Sequence, residues 1–123
     1  MLRLLLALLI ASTASALPEK YYQAIAADLC GGESEVVMPD GTRCDIVTDE
    51  YAIELDFAHK WAESIGQALN YAHQTNKRGG VVLIIDTPTD TKEAIRINSL
   101  IRHFKLPIDL WTIDKETEEL RRW

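Results

Sequence analysis

Cysteine, proline and positive charge are all scarce in this chain. Two cysteines in 123 residues cannot supply a disulfide framework, and three scattered histidines give no zinc-ligand spacing. Four prolines and six glycines, with no repeats, exclude fibrous and low-complexity classes. Thirteen Lys and Arg stand against nineteen Asp and Glu, for a net charge of −6. That balance argues against broad nonspecific nucleic-acid binding, which depends on neutralising phosphates. Any nucleic-acid contact would need a local basic patch, or metal ions that offset the carboxylates. What remains is 47% hydrophobic and 26% charged, the composition of a globular protein, and the length allows one domain with a small core.

The amino terminus has its own pattern. Met1-Leu2-Arg3 is a short positive start, Leu4 to Ile10 is an unbroken apolar run, and Ala14-Ser15-Ala16 supplies small residues at a cleavage spacing. The run is shorter than the roughly 20 residues a membrane span needs. The expectation is a signal peptide over 1–16, cleaved after Ala16, against an uncleaved anchor or a buried first helix. The exported product, periplasmic or secreted, would be a single domain over 17–123 with no stable membrane insertion. In an oxidising compartment Cys30 and Cys44 would either pair, closing a short loop worth about 3 kcal/mol, or stay as two small buried hydrophobes.

Periodicity and punctuation give the elements. Pro18 to Cys30 reads as a helix ended by Gly31-Gly32, with Tyr21, Ile25 and Leu29 as its apolar stripe. Ser34 to Met38, Thr42 to Thr48 and Tyr51 to Phe57 read as three strands joined by turns at Pro39-Asp40-Gly41 and Asp49-Glu50. Ala58 to Thr75 is a helix with Trp61, Ile65, Leu69 and Ala72 on one face and Lys60, Glu63, Gln67 and Gln74 on the side away from Trp61 and Ile65. Val81 to Asp86 reads as a strand buried on both faces, Lys92 to Phe104 as a helix and Ile108 to Ile113 as a last strand before a charged tail. The order predicts an α/β (α+β) fold, a mixed sheet with helices on its faces. Trp61 and Trp111 are expected in the core rather than as base-stacking platforms, and Lys77, Arg78, Lys105, Arg121 and Arg122 at solvated ends rather than on phosphates.

Turn chemistry sets the strand registers. A type I turn with a left-handed Gly41 places Glu35 opposite Asp45, and a short loop at Asp49-Glu50 places Asp45 opposite Glu54. One face of this meander then carries Val36, Met38, Cys44, Ile46, Ile53 and Leu55, and the other Glu35, Arg43, Asp45, Glu54 and Asp56. Opposed like charges at about 5 Å destabilise a sheet. A divalent cation reverses that sign, because hard cations favour clustered oxygens. A row of acids therefore reads either as a metal site or as a solvated face on which Arg43 neutralises Asp56. Lys60, one turn beyond the acidic strand, either reaches back toward Glu54 or Asp56 or faces solvent, the latter being favoured by its position alone.

These residues carry a resemblance. Gly41-Thr42-Arg43-Cys44-Asp45, Ala52-Ile53-Glu54-Leu55-Asp56, Lys60-Trp61-Ala62-Glu63, Ile65-Gly66-Gln67-Ala68-Leu69 and Tyr71-Ala72 together resemble the PD-(D/E)XK, restriction-endonuclease-like, nuclease superfamily. Its core is a helix, a three-strand meander, a helix and a further strand, similar to the order over roughly residues 19 to 113. The resemblance implies a metal-dependent endonuclease. Asp45 and Glu54 would hold Mg²⁺ or Mn²⁺, with Glu35 and Asp56 as further ligands, Lys60 and Gln67 as catalytic partners, and Arg43 and Tyr71 against the substrate. Asp56 stands where the superfamily has lysine, and Lys60 is the candidate replacement. The implied partner is nucleic acid, DNA before RNA, and a homodimer is the oligomeric state to test. Two other readings stay open: a non-catalytic exported binding module of the same fold, and a periplasmic protein that binds Ca²⁺ for stability.

Overall fold

A computed structural model describes residues 16–123. The expected leader, 1–16, lies outside the described residues except for Ala16. Among the described residues no helix is long and apolar enough to cross a membrane.

The first helix, α1 (Glu19–Cys30), is followed by β1 (Glu33–Val37), β2 (Arg43–Val47) and β3 (Tyr51–Phe57). A 3-10 turn at Ala58–Lys60 leads into α2 (Trp61–Thr75), then β4 (Arg78–Ile85), α3 (Thr91–His103), β5 (Ile108–Asp114) and β6 (Leu120–Arg122). All six strands form one sheet in the order β1-β2-β3-β4-β5-β6. Pairing is antiparallel along the meander, parallel from β3 through β5, and antiparallel again for β6. Parallel neighbours need a crossover, which α2 and α3 provide. The expected mixed sheet with covering helices is the observed fold.

Hydrophobic residues cover both faces. On one side Tyr22 and Ala26 of α1 pack with Ile46, Ile53, Leu55 and Val82; on the other Ala68 of α2 and Ile97 of α3 pack with Val81 and Leu83. Trp111 packs against the first cluster and Trp61 against the second, each partly buried at the core's edge rather than inside it. The stripe expected on the first helix is corrected. Tyr21 and Leu29 are 39% and 59% exposed, while Tyr22, Ala26 and Ala27 are buried. The sequence pattern follows side-chain size, whereas the sheet selects small alanines that let α1 approach closely. α1 ends as expected at Gly31, whose left-handed backbone (φ +66°) lets its N–H reach the carbonyls of Ala27 and Asp28.

Two strand boundaries also differ from the sequence reading. β4 begins at Arg78 rather than Val81, because Gly79 and Gly80 join the ladder. A Cβ on Gly80 would lie 2.8 Å from Ile53 Cγ1 and 3.1 Å from Trp111 Cζ3, so glycine there allows close approach rather than a turn. The charged tail folds back as β6, with Ile113 opposite Leu120 and Trp111 opposite Arg122.

The cysteines are free thiols. Cys30, at the end of α1, packs against the α1-side core, while Cys44 is buried in a separate cluster with Met38, Ala52 and Tyr71. The Cys44 thiol donates to the carbonyls of Ile46 and Ile53 at 3.4 and 3.5 Å, and burial pushes it up to about 11.

Candidate functional site

The site grows from an interrupted strand pairing. β1 and β2 are in register at Val36↔Cys44, and β2 and β3 at Ile46↔Ile53. The expected pairs Glu35–Asp45 and Asp45–Glu54 fall one residue beyond these, and neither is made: Glu35 leaves the pairing, and Cys44 and Ile46, on either side of Asp45, pack into different clusters. The β2–β3 ladder stops there. Leu55 N–H, the next donor along β3, is accepted at 2.8 Å by the Asp45 carboxylate. An acidic side chain replaces a backbone carbonyl, and the meander opens beside β3.

Glu54 and Asp56 project onto the face under α2, next to Val81 and Leu83 on β4. Each is 4% exposed. The solvated acidic face is therefore ruled out for these two residues. Arg43 is exposed and forms no ion pair with Asp56 among the described residues. The lid over the acids is a helical stripe, Ser64, Gln67 and Tyr71. Ser64 Oγ donates to Asp56 Oδ2 at 3.1 Å. The Gln67 amide satisfies its surroundings with its nitrogen toward Glu54, donating to Oε1 at 2.8 Å and Oε2 at 3.3 Å. The Tyr71 hydroxyl lies 3.3 Å from that amide group.

Electrostatics follow from this packing. The Glu54 carboxyl stands close to those of Asp45 and Asp56, and no Lys or Arg is paired with any of these acids among the described residues. Burial raises the titration of Asp45, Glu54 and Asp56. The Asp45 charge adds to the effect on Glu54, which holds its proton far above the usual carboxylate range. Burial, then the Glu54 and Asp45 charges, push the Tyr71 phenol up as well.

The remaining expected residues stand around this centre. Lys60 Nζ is 3.4 Å from Glu19 Oε1 on α1, and its charge reaches Asp56 without a direct bond. Glu35 adopts a left-handed backbone (φ +56°), drops out of the β1–β2 pairing and accepts a hydrogen bond from Gln23 Nε2 at 3.2 Å. Its charge is still felt by Asp45. Three residues that surround the acids escaped the sequence reading: Ser64, Glu19 and Gln23. Ser64 lies one helical turn before Gln67, so the stripe itself carried the signal. Glu19 and Gln23 lie one turn apart on α1, and nothing in the sequence links them to the acids until the helix is docked.

Among the described residues no group of three or more His, Cys, Asp or Glu side chains is disposed to hold a metal ion. The donor chemistry nevertheless suits a hard cation through two acids. Glu54 is buried and Asp45 half-buried beside it, and neither has a basic partner among the described residues. Of the further ligands expected, Asp56 is engaged by Ser64 and Glu35 by Gln23. No family model, curated protein or solved structure matches this chain.

Proposed function

We propose that this chain is a divalent-metal-dependent hydrolase of nucleic-acid phosphodiester bonds, built on the plan of the PD-(D/E)XK nucleases. One observation carries the reading: Asp45 and Glu54 are pressed together where the β2–β3 ladder ends, and no basic side chain neutralises them. A sequence selected for stability alone would not set a buried Glu54 against a half-buried Asp45 with no cation between them, since unpaired buried charge is costly and Glu54 escapes it only by keeping a proton. The element order supports the same reading.

In this proposal Asp45 and Glu54 hold Mg²⁺ or Mn²⁺. The bound ion would polarise a phosphoryl oxygen and make an attacking water more acidic. Gln67 fixes the Glu54 carboxyl through its amide donors, and the Leu55 N–H fixes Asp45. Lys60 is 41% exposed beside Asp56, and its ammonium supplies positive charge where the transferred phosphoryl group gains negative charge. Export through the 1–16 leader belongs to the proposal.

Supercoiled DNA incubated with Mn²⁺ or Mg²⁺ tests it. Wild type is expected to nick the plasmid, and Asp45→Ala and Glu54→Ala to fall to background. Variants that nick like wild type would remove both acids from the chemistry. A second reading has its own support: Asp56 occupies the superfamily's lysine position, and Lys60 is paired with Glu19. These favour a binding module that has lost cleavage. Stabilisation by Mn²⁺ with no nicking would select it.

A further inference from the structure

The charge of this acidic chain is unevenly distributed. On α3 the exposed residues Lys92, Ile95, Arg96, Ser99, Arg102 and His103 recur at helical spacing and form one continuous outer face. Lys92 and Arg102 have no acidic partner among the described residues, and Arg96 has only Glu93, at 3.9 Å with Arg96 57% exposed. A pair that open contributes little. Helix stability accounts for Arg102 and His103, which sit at the negative end of the helix dipole. It does not account for Lys92, a cation in the first turn, where the dipole disfavours it by a few tenths of a kcal/mol. A chain with net charge −6 has carboxylates to spare, yet α3 itself carries a single acid, Glu93.

We infer that the outer face of α3 is the track on which a DNA strand docks by its phosphates. Cations spread over ten residues of helix span about 15 Å, the rise of roughly four nucleotides. Ser99, in the middle, adds a small hydroxyl donor of the kind that bonds phosphate without crowding it. The helix that carries the track packs by its inner face beside the turn that follows the acidic strand. α3 packs through Ile97 and Ile101 against Ala58, and Ala58 begins the turn that carries Lys60. The inference rests on the nucleic-acid reading of the acid pair, but it concerns binding, and binding can be measured with the metal removed.

The experiment is fluorescence anisotropy of a labelled DNA oligonucleotide in EDTA across a salt series. The chains compared are wild type, the α3 double variant Arg96→Ser/Arg102→Ser, and a charge-matched double variant elsewhere, Lys20→Ser/Arg121→Ser. The α3 variant is expected to lose at least about tenfold in affinity at low salt. Its log-log salt slope should be shallower by roughly 0.7–0.9 for each phosphate no longer neutralised. The charge-matched control should stay within about twofold of wild type. Equal losses in both double variants would mean bulk charge alone, and would overturn the track. So would unchanged binding by the α3 variant, or wild type that ignores DNA but binds vesicles containing phosphatidylglycerol. DNA binding through α3 by a wild type that never nicks under Mn²⁺ would sustain the track and sink the hydrolase. Nicking by the α3 variant at the wild-type rate and affinity would do the reverse.

Discussion

The Asp45 carboxylate accepts the backbone N–H of Leu55 at 2.8 Å, and that bond both ends the β2–β3 ladder and holds one acid of the candidate site in place. The acid is thus a structural acceptor as well as a charge, and two substitutions separate the roles. Asp45→Asn keeps an oxygen for Leu55 N–H; Asp45→Ala leaves the donor unpaired at a residue that is 1% exposed. Orphaning a buried N–H costs about 1–3 kcal/mol, so Ala should melt below Asn by that amount without metal. Both should lose any Mn²⁺-induced rise in Tm. Thermal melts with and without Mn²⁺ read both effects, and an Asn variant still stabilised by Mn²⁺ would take Asp45 out of the ion site.

Proton linkage at Glu54 gives a pH signature. Burial raises Asp45, Glu54 and Asp56 above their unfolded values, Glu54 most clearly. Above about pH 4 the unfolded chain releases these protons before the folded chain does, so the folded state binds more protons and stability falls as pH rises. Asp40 acts in the opposite sense: hydrogen bonds from Thr42 pull it down to about 2, so its contribution is lost only in acid. Metal-free protein should therefore be most stable at mildly acidic pH. Glu54→Gln keeps the shape and abolishes the titration. It should match wild type near pH 5 and exceed it near pH 8 by more than about 1.4 kcal/mol, the value of one pKa unit. A wild type whose stability is flat from pH 5 to 9 would show that Glu54 is not held protonated.

Much of this was legible before the structure. Asp40-Gly41 and Asp49-Glu50 are turn residues whose geometry fixes register, so the nearness of Asp45 to Glu54 could be worked out from residue types and spacing alone. Helix docking could not. The wheel of α1 favours Tyr21 and Leu29 as its buried side because they are large, yet the sheet buries Tyr22 and Ala26, and with them Gln23. Nor did the chain announce β6, since Arg121 and Arg122 read as a solvated tail until Leu120 and Trp123 find β5 and the α3-side core. Local chemistry was readable wherever neighbours in sequence decide it. Packing across the sheet was not.

Two glycines should respond to alanine with opposite signs. Gly80 lies under Ile53 and Trp111, where an added Cβ would meet atoms at 2.8 and 3.1 Å, both in the packed α1-side core. Gly80→Ala should cost about 1–3 kcal/mol as an overpacked site. Gly66, within α2, has nothing within 4 Å of an added Cβ. Gly66→Ala should stabilise by roughly 0.5–1 kcal/mol through helix propensity and a less flexible unfolded chain. Urea unfolding of the two variants checks both signs, and a destabilised Gly66→Ala would mean that this side of α2 is covered.

Gln23 and Glu35 form a pair whose purpose can be read from its cost. Gln23 is 6% exposed on a helix face otherwise given to Tyr22, Ala26 and Ala27, and Glu35 holds a left-handed backbone that side chains other than glycine adopt only with strain. A methionine at position 23 would fill the same space with no polar atom to satisfy, so the pair is not there for packing. It holds the Glu35 carboxylate by one oxygen, at a place from which its charge still acts on Asp45. Gln23→Met should therefore leave the metal-free Tm within a few degrees of wild type while weakening Mn²⁺ binding about tenfold, the usual scale for groups that orient or charge a metal site from behind its ligands. In a Glu35→Gln background the same substitution should change Mn²⁺ affinity no further, because the charge it positions is gone. Calorimetric Mn²⁺ titration of the four proteins closes this cycle. Equal losses from Gln23→Met in both backgrounds would show that Gln23 acts on the fold and not through Glu35.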